Sequence, residues 1–348
     1  MRRTIPILGA LALAAGAALL PAVTPPAGAA PDGTIVELPV AFEVNNHNHS
    51  SVQCPADGKD YTVKGHIVAP AAALDGAKAA TLYLHAVTFG EYYWRFKGVP
   101  GYDYASIMAG HGHVSVTIDR LGYGSSPRPE GNAGTCFGSE ADVAHQIVEQ
   151  LKSGKYGLEG HDPVAFKKVF TAGSSVGGMV AHIEAYNTNS TDGILNFGWG
   201  DHNISQYAFE EYNDLMKRCF EGGDPGTPGY AAFARNSRDR FYFHSAPPEV
   251  RKAVPAPNPD PCGQARSIPP GIFNDEVNLA RIDVPVLLVF GDKDAIFSPD
   301  AARQQASRYF GSPEVTLEMI PDTSHFPILE ATLPTTVAAV DKWLDRHS

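Results

Sequence analysis

The feature that most limits the fold of this chain is the rhythm of its apolar runs. Short runs at 80–85, 113–119, 168–172, 194–199, 284–290 and 314–320 are mostly continuous rather than alternating. A strand that is apolar on both sides must be covered on both faces, as in a parallel sheet held between two layers of helices. Runs with helical spacing at 139–151, 176–186, 299–309 and 335–346 fall between the later strands. Strands alternating with helices predict an α/β fold, with a mostly parallel, doubly wound sheet and helices on both faces. Two earlier strand-like runs, at 34–42 and 61–68, have no helix between them and are expected to form an antiparallel edge.

Residues 202–280 break this rhythm. They hold Gly222-Gly223-Asp224-Pro225-Gly226, Ile268-Pro269-Pro270-Gly271 and a proline at every second position from Pro255 to Pro261. They also hold Tyr207, Phe209, Tyr212, Phe241, Tyr242 and Phe243. The segment is too long for a connecting loop and too aromatic for a disordered one. A cap inserted after the sixth strand is expected, splitting the core into residues 30–201 and 281–348.

The chain begins Met1-Arg2-Arg3, continues with a small, apolar stretch over 5–20 and reaches Ala27-Gly28-Ala29. A basic start, a short apolar middle and an A-x-A ending predict a signal peptide over 1–29, hence a secreted or periplasmic protein. The paired arginines hint at twin-arginine export. The apolar stretch is shorter than the ~20 residues of a membrane span, so no stable membrane insertion is expected once it is removed. Its removal takes away two arginines and no acid, moving the formal charge from −11 to −13. That balance argues against nucleic acid or anionic lipid as a partner.

There are four cysteines, Cys54, Cys136, Cys219 and Cys262, and no C-x-x-C pair, so zinc-ribbon and thioredoxin readings fail on spacing. In an exported chain disulfides are the default. Three pairings are open; Cys54–Cys136 with Cys219–Cys262 is favoured because the second pair lies within the inserted segment.

The chemistry centres on Gly173-Ser174-Ser175-Val176-Gly177, a G-x-S-x-G match between a predicted strand and a predicted helix. A serine hydroxyl needs a base, usually a histidine held in one tautomer by a carboxylate. It must also project from a tight turn, and strand, turn, helix is the context that makes this pentapeptide a nucleophile elbow. Ser175 is the expected nucleophile; Ser174 is the rival. The acid is expected at Asp294, in Gly291-Asp292-Lys293-Asp294 after a buried strand, with Asp201 competing from the end of the preceding strand. His325, in Asp322-Thr323-Ser324-His325-Phe326, follows the last strand and is the expected base. The oxyanion hole needs two backbone N–H groups. Val176, just after the serine, and Val87, in the loop His85-Ala86-Val87-Thr88-Phe89-Gly90, are the expected donors. His85 is read as orienting that loop. Tyr92, Tyr93, Trp94 and Phe326 are candidates for the substrate pocket, with ordinary packing the alternative for the first three. His111-Gly112-His113 invites a metal reading, but no carboxylate stands beside it in the sequence, and no metal site is expected.

Together, Gly173–Gly178, Gly291–Asp294 and Asp322–Phe326 resemble the α/β-hydrolase superfamily, over nearly the whole chain after residue 29. The segment 118–126 is similar to that family's turn after its fourth strand. The resemblance implies an eight-stranded sheet, a Ser-His-Asp triad, and neither metal nor organic cofactor. A serine at the elbow sets the chain apart from haloalkane dehalogenases. Ala86 departs from the His-Gly found in many members. The function implied is hydrolysis of a small-molecule or lipid ester, or a lactone, through an acyl-enzyme. A peptidase or amidase is the alternative, since the cap resembles that of aminopeptidases releasing N-terminal proline. A hydroxynitrile-lyase type of reaction, or a binding protein on the same scaffold, are further alternatives.

Overall fold

Two strands of eleven residues, β1 (Ile35–Asn45) and β2 (Asp60–Pro70), pair antiparallel along their full length. In this computed structural model, which describes residues 33–76, 78–129 and 134–348, they form the expected edge. The expected signal peptide lies outside the described residues. The remaining strands are β3 (Ala79–Leu84), β4 (Ser115–Ile118), β5 (Lys168–Ser174), β6 (Ile194–Phe197), β7 (Val286–Gly291) and β8 (Val315–Ile320). They run parallel to one another in the order β8-β7-β6-β5-β3-β4, and β4 then meets β2 antiparallel. All six residues of β7 are buried, which is why the run carries no polar alternation. The sheet has one strand more than the eight expected, because Gly157–Leu158 pairs with Val40 and Ala41 on the free edge of β1.

Helices cover both faces. On one lie α2 (Phe137–Ser153), α3 (Val176–Thr188) and α6 (Pro299–Ala306); on the other lie α1 (Tyr104–Gly110) and α7 (Leu333–His347). The seven-residue α1 is too short to show a helical period in the sequence. Its start is set by Asp103, whose side chain accepts from Ser106 N–H at 3.2 Å.

Between β6 and β7 the chain builds α4 (Gln206–Phe220) and α5 (Cys262–Asn278), joined by the Cys219–Cys262 disulfide. The other disulfide, Cys54–Cys136, ties the loop after β1 to the start of α2. Both are the favoured pairing. Helix α5 continues through Pro269 and Pro270. Pro269 has no N–H for the carbonyl of Ala265, one turn earlier. Tyr212 of α4 supplies a substitute, donating its hydroxyl to that carbonyl at 3.3 Å. Among the described residues no helix is long and apolar enough to cross a membrane.

Candidate active site

Parallel strands bring their carboxyl ends to one edge of the sheet, and loops with chemical groups collect there. Ser175 follows β5, Asp294 follows β7, His325 follows β8 and Val87 follows β3.

The elbow forms because its neighbours have no side chains to obstruct it. A Cβ on Gly173 would lie 2.1 Å from the Gly177 carbonyl, and one on Gly177 would lie 2.5 Å from the Leu84 carbonyl oxygen. Without those atoms α3 turns back tightly onto β5 and β3. Ser175 sits between them at φ 52°, ψ −124°, an unfavourable region for a residue with a side chain. Its N–H donates to Phe197 O at 2.8 Å, fixing the turn to β6. Val176 is the first residue of α3, so its N–H has no partner within the helix.

His325 Nδ1 and Asp294 Oδ2 are 2.7 Å apart, with both side chains fully buried. The other oxygen of Asp294 accepts from Ile296 N–H at 2.7 Å and Phe297 N–H at 3.2 Å. The imidazole packs edge-on against Phe326, with ring centres 4.7 Å apart. Its Nε2 is buried and has no hydrogen-bond partner among the described residues, so no bond joins it to Ser175 Oγ in this conformation. Both residues line the same cavity.

Asp201 does not meet His325. Its oxygens accept from Trp199 Nε1 and Gln305 Nε2, each at 3.0 Å. Burial, and then the charge of Asp275, push its carboxyl up to about 8. It belongs to a separate buried network in which His182 joins Asp275 and Tyr309, at 3.0 and 2.8 Å.

In the loop after β3, His85 is held between Ala86 O at 2.8 Å and Arg120 N–H at 3.1 Å, and burial keeps it well below the usual histidine range. It orients backbone and is unsuited to be a base. Thr88 N–H is taken by Asp260, whereas Val87 faces the cavity alongside Ser175 and Val176.

That cavity has a volume of about 460 Å³. Of the pocket candidates, Phe326 lines it and Tyr92, Tyr93 and Trp94 do not. Tyr93 and Trp94 are fully buried, with tilted or edge-on contacts to Phe89, Phe197 and Tyr83, which supports the packing alternative for this run over the pocket wall. The walls come instead from Phe209, Tyr212 and Leu215 of α4 and from Ile268, Ile272 and Phe273 of α5. Phe209, Tyr212 and Leu215 are spaced three apart and Ile268 and Ile272 four apart, a helical signal present in the sequence but masked in α5 by Pro269, Pro270 and Gly271. The lining includes no lysine or arginine among the described residues, and Glu276 is its one acid.

His111 and His113 do have carboxylates beside them, contrary to the sequence reading. Helix α7 brings Asp341 to 3.0 Å from His111 and 2.9 Å from His113, with Asp345 at 3.9 Å from His113. The group lies at the opposite end of the sheet from Ser175, before β4. Its hydrogen bonds tie α7 to the start of that strand.

A model described as the alpha/beta hydrolase family matches residues 82–340. No curated protein matches the sequence. Solved structures share the fold at low identity. A monoacylglycerol lipase from Paleococcus ferrophilus superposes with a TM-score of 0.55 at 17% identity, covering 77% of this chain and 94% of its own. A thermophilic esterase from Thermogutta terrifontis gives 0.56 at 18%, covering 88% and 99%. An esterase from Exiguobacterium antarcticum gives 0.58 at 14%, covering 87% and 100%.

Proposed function

We propose that this chain, which belongs to the alpha/beta hydrolase family, is an exported serine hydrolase cleaving a neutral, apolar carboxylic ester. The single observation that carries the reading is the convergence on one apolar cavity of the strained Ser175 and the Asp294-bound His325. In this reading Ser175 swings about one side-chain bond toward Nε2 of His325 when substrate binds, since such contacts are often unmade in free enzymes. His325 takes the hydroxyl proton as Oγ attacks the carbonyl carbon. The N–H groups of Val176 and Val87 receive the negative oxygen. His325 then gives its proton to the departing alkoxide, leaving an acyl-enzyme. A water, deprotonated by the same imidazole, attacks the acyl carbon; the bond to Oγ then breaks, the imidazolium returns its proton to Ser175, and the acid leaves. Asp294 keeps the imidazole in the tautomer that presents Nε2 to Ser175 and stabilises its charged form.

The substrate class rests on the lining. With no cation among the described lining residues and Glu276 present, a substrate carboxylate would be repelled, whereas an alkyl or aryl group finds matching walls. Export is favoured by the signal-like start and by two disulfides, which persist in oxidising compartments. The test is hydrolysis of p-nitrophenyl esters from acetate to palmitate, alongside p-nitrophenyl succinate. Turnover of the neutral series with poor cleavage of the charged ester is expected. Preferential cleavage of the succinate would refute the substrate class, and inactivity on every ester would refute the reaction.

A further inference from the structure

Thr88 is a second strained residue at the site. It has φ 65°, a left-handed conformation that a β-branched side chain strongly disfavours. Such strain persists only where the surroundings over-determine it. Here the surroundings are the segment between β6 and β7. Asp260 Oδ1 accepts from Thr88 N–H at 2.5 Å, and Asn258 N–H donates to Thr88 O at 2.8 Å. Thr88 Oγ1 bonds the hydroxyl of Tyr242. Every polar group of Thr88 is therefore held by that one segment. Asn258 Nδ2 also reaches the next carbonyl, Phe89 O, at 3.0 Å.

Asp260 is itself firmly placed. Its carboxylate is buried, and it accepts from Tyr123 OH at 2.8 Å and Phe233 N–H at 3.1 Å. It lies in a short antiparallel pair, opposite Ala231, two residues before the disulfide at Cys262. Tyr123 belongs to the core turn after β4, so the carboxylate joins core, cap and oxyanion loop at one point.

We propose that Asp260 is a positioning residue for catalysis: by holding Thr88 in its left-handed turn it aims Val87 N–H at the reacting carbonyl oxygen. The proposal rests on the reading of Ser175 as nucleophile and Val87 as oxyanion donor. The left-handed position is occupied by threonine rather than glycine, so the turn is imposed from outside instead of arising from backbone freedom. With Thr88 N–H spent on Asp260, Val87 is the other residue of this loop in the cavity lining, and its N–H is assigned here as the donor. The cap is then part of the catalytic machinery as well as a wall of the pocket.

The experiment compares wild type, Asp260→Asn, Asn258→Ala and the double variant Asp260→Asn with Thr88→Gly, all as full-length protein. Readouts are kcat and KM on a p-nitrophenyl ester, and inhibition by an alkyl trifluoromethyl ketone, whose adduct carries the oxyanion, against the unreactive methyl ketone. Loss of one oxyanion donor lowers kcat by about 10²–10³. Asp260→Asn is expected to lose about tenfold or more in kcat, with KM nearly unchanged, on the same scale. Affinity for the trifluoromethyl ketone should fall in parallel while the methyl ketone holds. Thr88→Gly should restore part of the loss, because glycine takes the turn unaided. Asn258→Ala, which leaves the buried carboxylate in place, should show a smaller fall in the same direction. The proposal is overturned if kcat and trifluoromethyl ketone affinity stay at wild-type values in both single variants. It is also overturned if the losses fall on KM and both ketones alike, or if glycine gives no rescue. Should wild type hydrolyse no ester and take up no serine phosphonate, the underlying functional reading fails first. Should wild type and Ser175→Ala behave as expected, a failure in the Asp260 series belongs to this inference alone.

Discussion

Ser175 and Asp294 are the single side chains on which the proposed chemistry turns. Replacing Ser175 by alanine is expected to lower kcat by about 10⁴-fold or more, since loss of a nucleophile in such a unit removes nearly all its advantage. Asp294→Asn leaves the hydrogen bond to His325 in reach but with the wrong tautomer, and a fall of about 10⁴ in kcat is expected. Asp201→Asn should keep turnover within about tenfold of wild type, because Asp201 touches Trp199 and Gln305 rather than the imidazole. Equal loss in both aspartate variants would contradict the assignment. The sequence favours Asp294 but keeps Asp201 as a competitor, as each acid follows a strand of the same sheet. The decision lies in the turn after β7, where Ile296 and Phe297 N–H groups hold Asp294 facing His325.

A second residue-scale prediction concerns Glu184 on α3, far along the helix from Ser175. Burial pushes its carboxyl up to about 7 from 4.5, and one of its oxygens has no partner among the described residues. Between those values the unfolded chain loses this proton before the folded one does. The group's contribution to stability therefore falls as pH rises from about 4.5 to about 7. Glu184→Gln removes that term. Urea unfolding at pH 5 and pH 8 should show the variant gaining about 2 kcal/mol on wild type between the two. An unchanged difference would contradict the burial argument.

At the scale of elements, β5, Ser175 and α3 were legible because three glycines around one serine mark a close approach of backbone. The Gly173 and Gly177 contacts give the physical reason. Helix α5 was not legible, since Pro269 and Pro270 ordinarily end a helix; a hydroxyl from Tyr212 on another element supplies what the proline removes. The sequence leaves the Tyr92-Tyr93-Trp94 run between pocket wall and packing because aromatic residues look alike in sequence whether they face a ligand or a core. The carboxylates beside His113 were hidden for a different reason. Asp341 comes from the last helix, more than two hundred residues away in the chain. The Cys219–Cys262 disulfide closes a loop of 43 residues and joins α4 to α5. Replacing both cysteines by serine is expected to cost up to about 4 kcal/mol. Thermal unfolding should show the loss, with ester hydrolysis declining at temperatures where wild type is still active.

For the whole molecule, the sheet, its antiparallel edge and the insertion between β6 and β7 follow from the order of apolar runs. The pocket does not, because its walls are assembled from α4, α5 and the loops after five strands. Its size and apolar character depend on how those pieces meet. The central claim is that this assembly turns Ser175 into a nucleophile. The most direct measurement is peptide mapping by mass spectrometry after reaction with an alkyl fluorophosphonate, on wild type and on His325→Ala. A single adduct on Ser175 in wild type, with labelling at least about a hundredfold slower in the variant, is the expected result. An adduct on Ser174 or elsewhere, or labelling that proceeds equally fast without His325, would contradict the account.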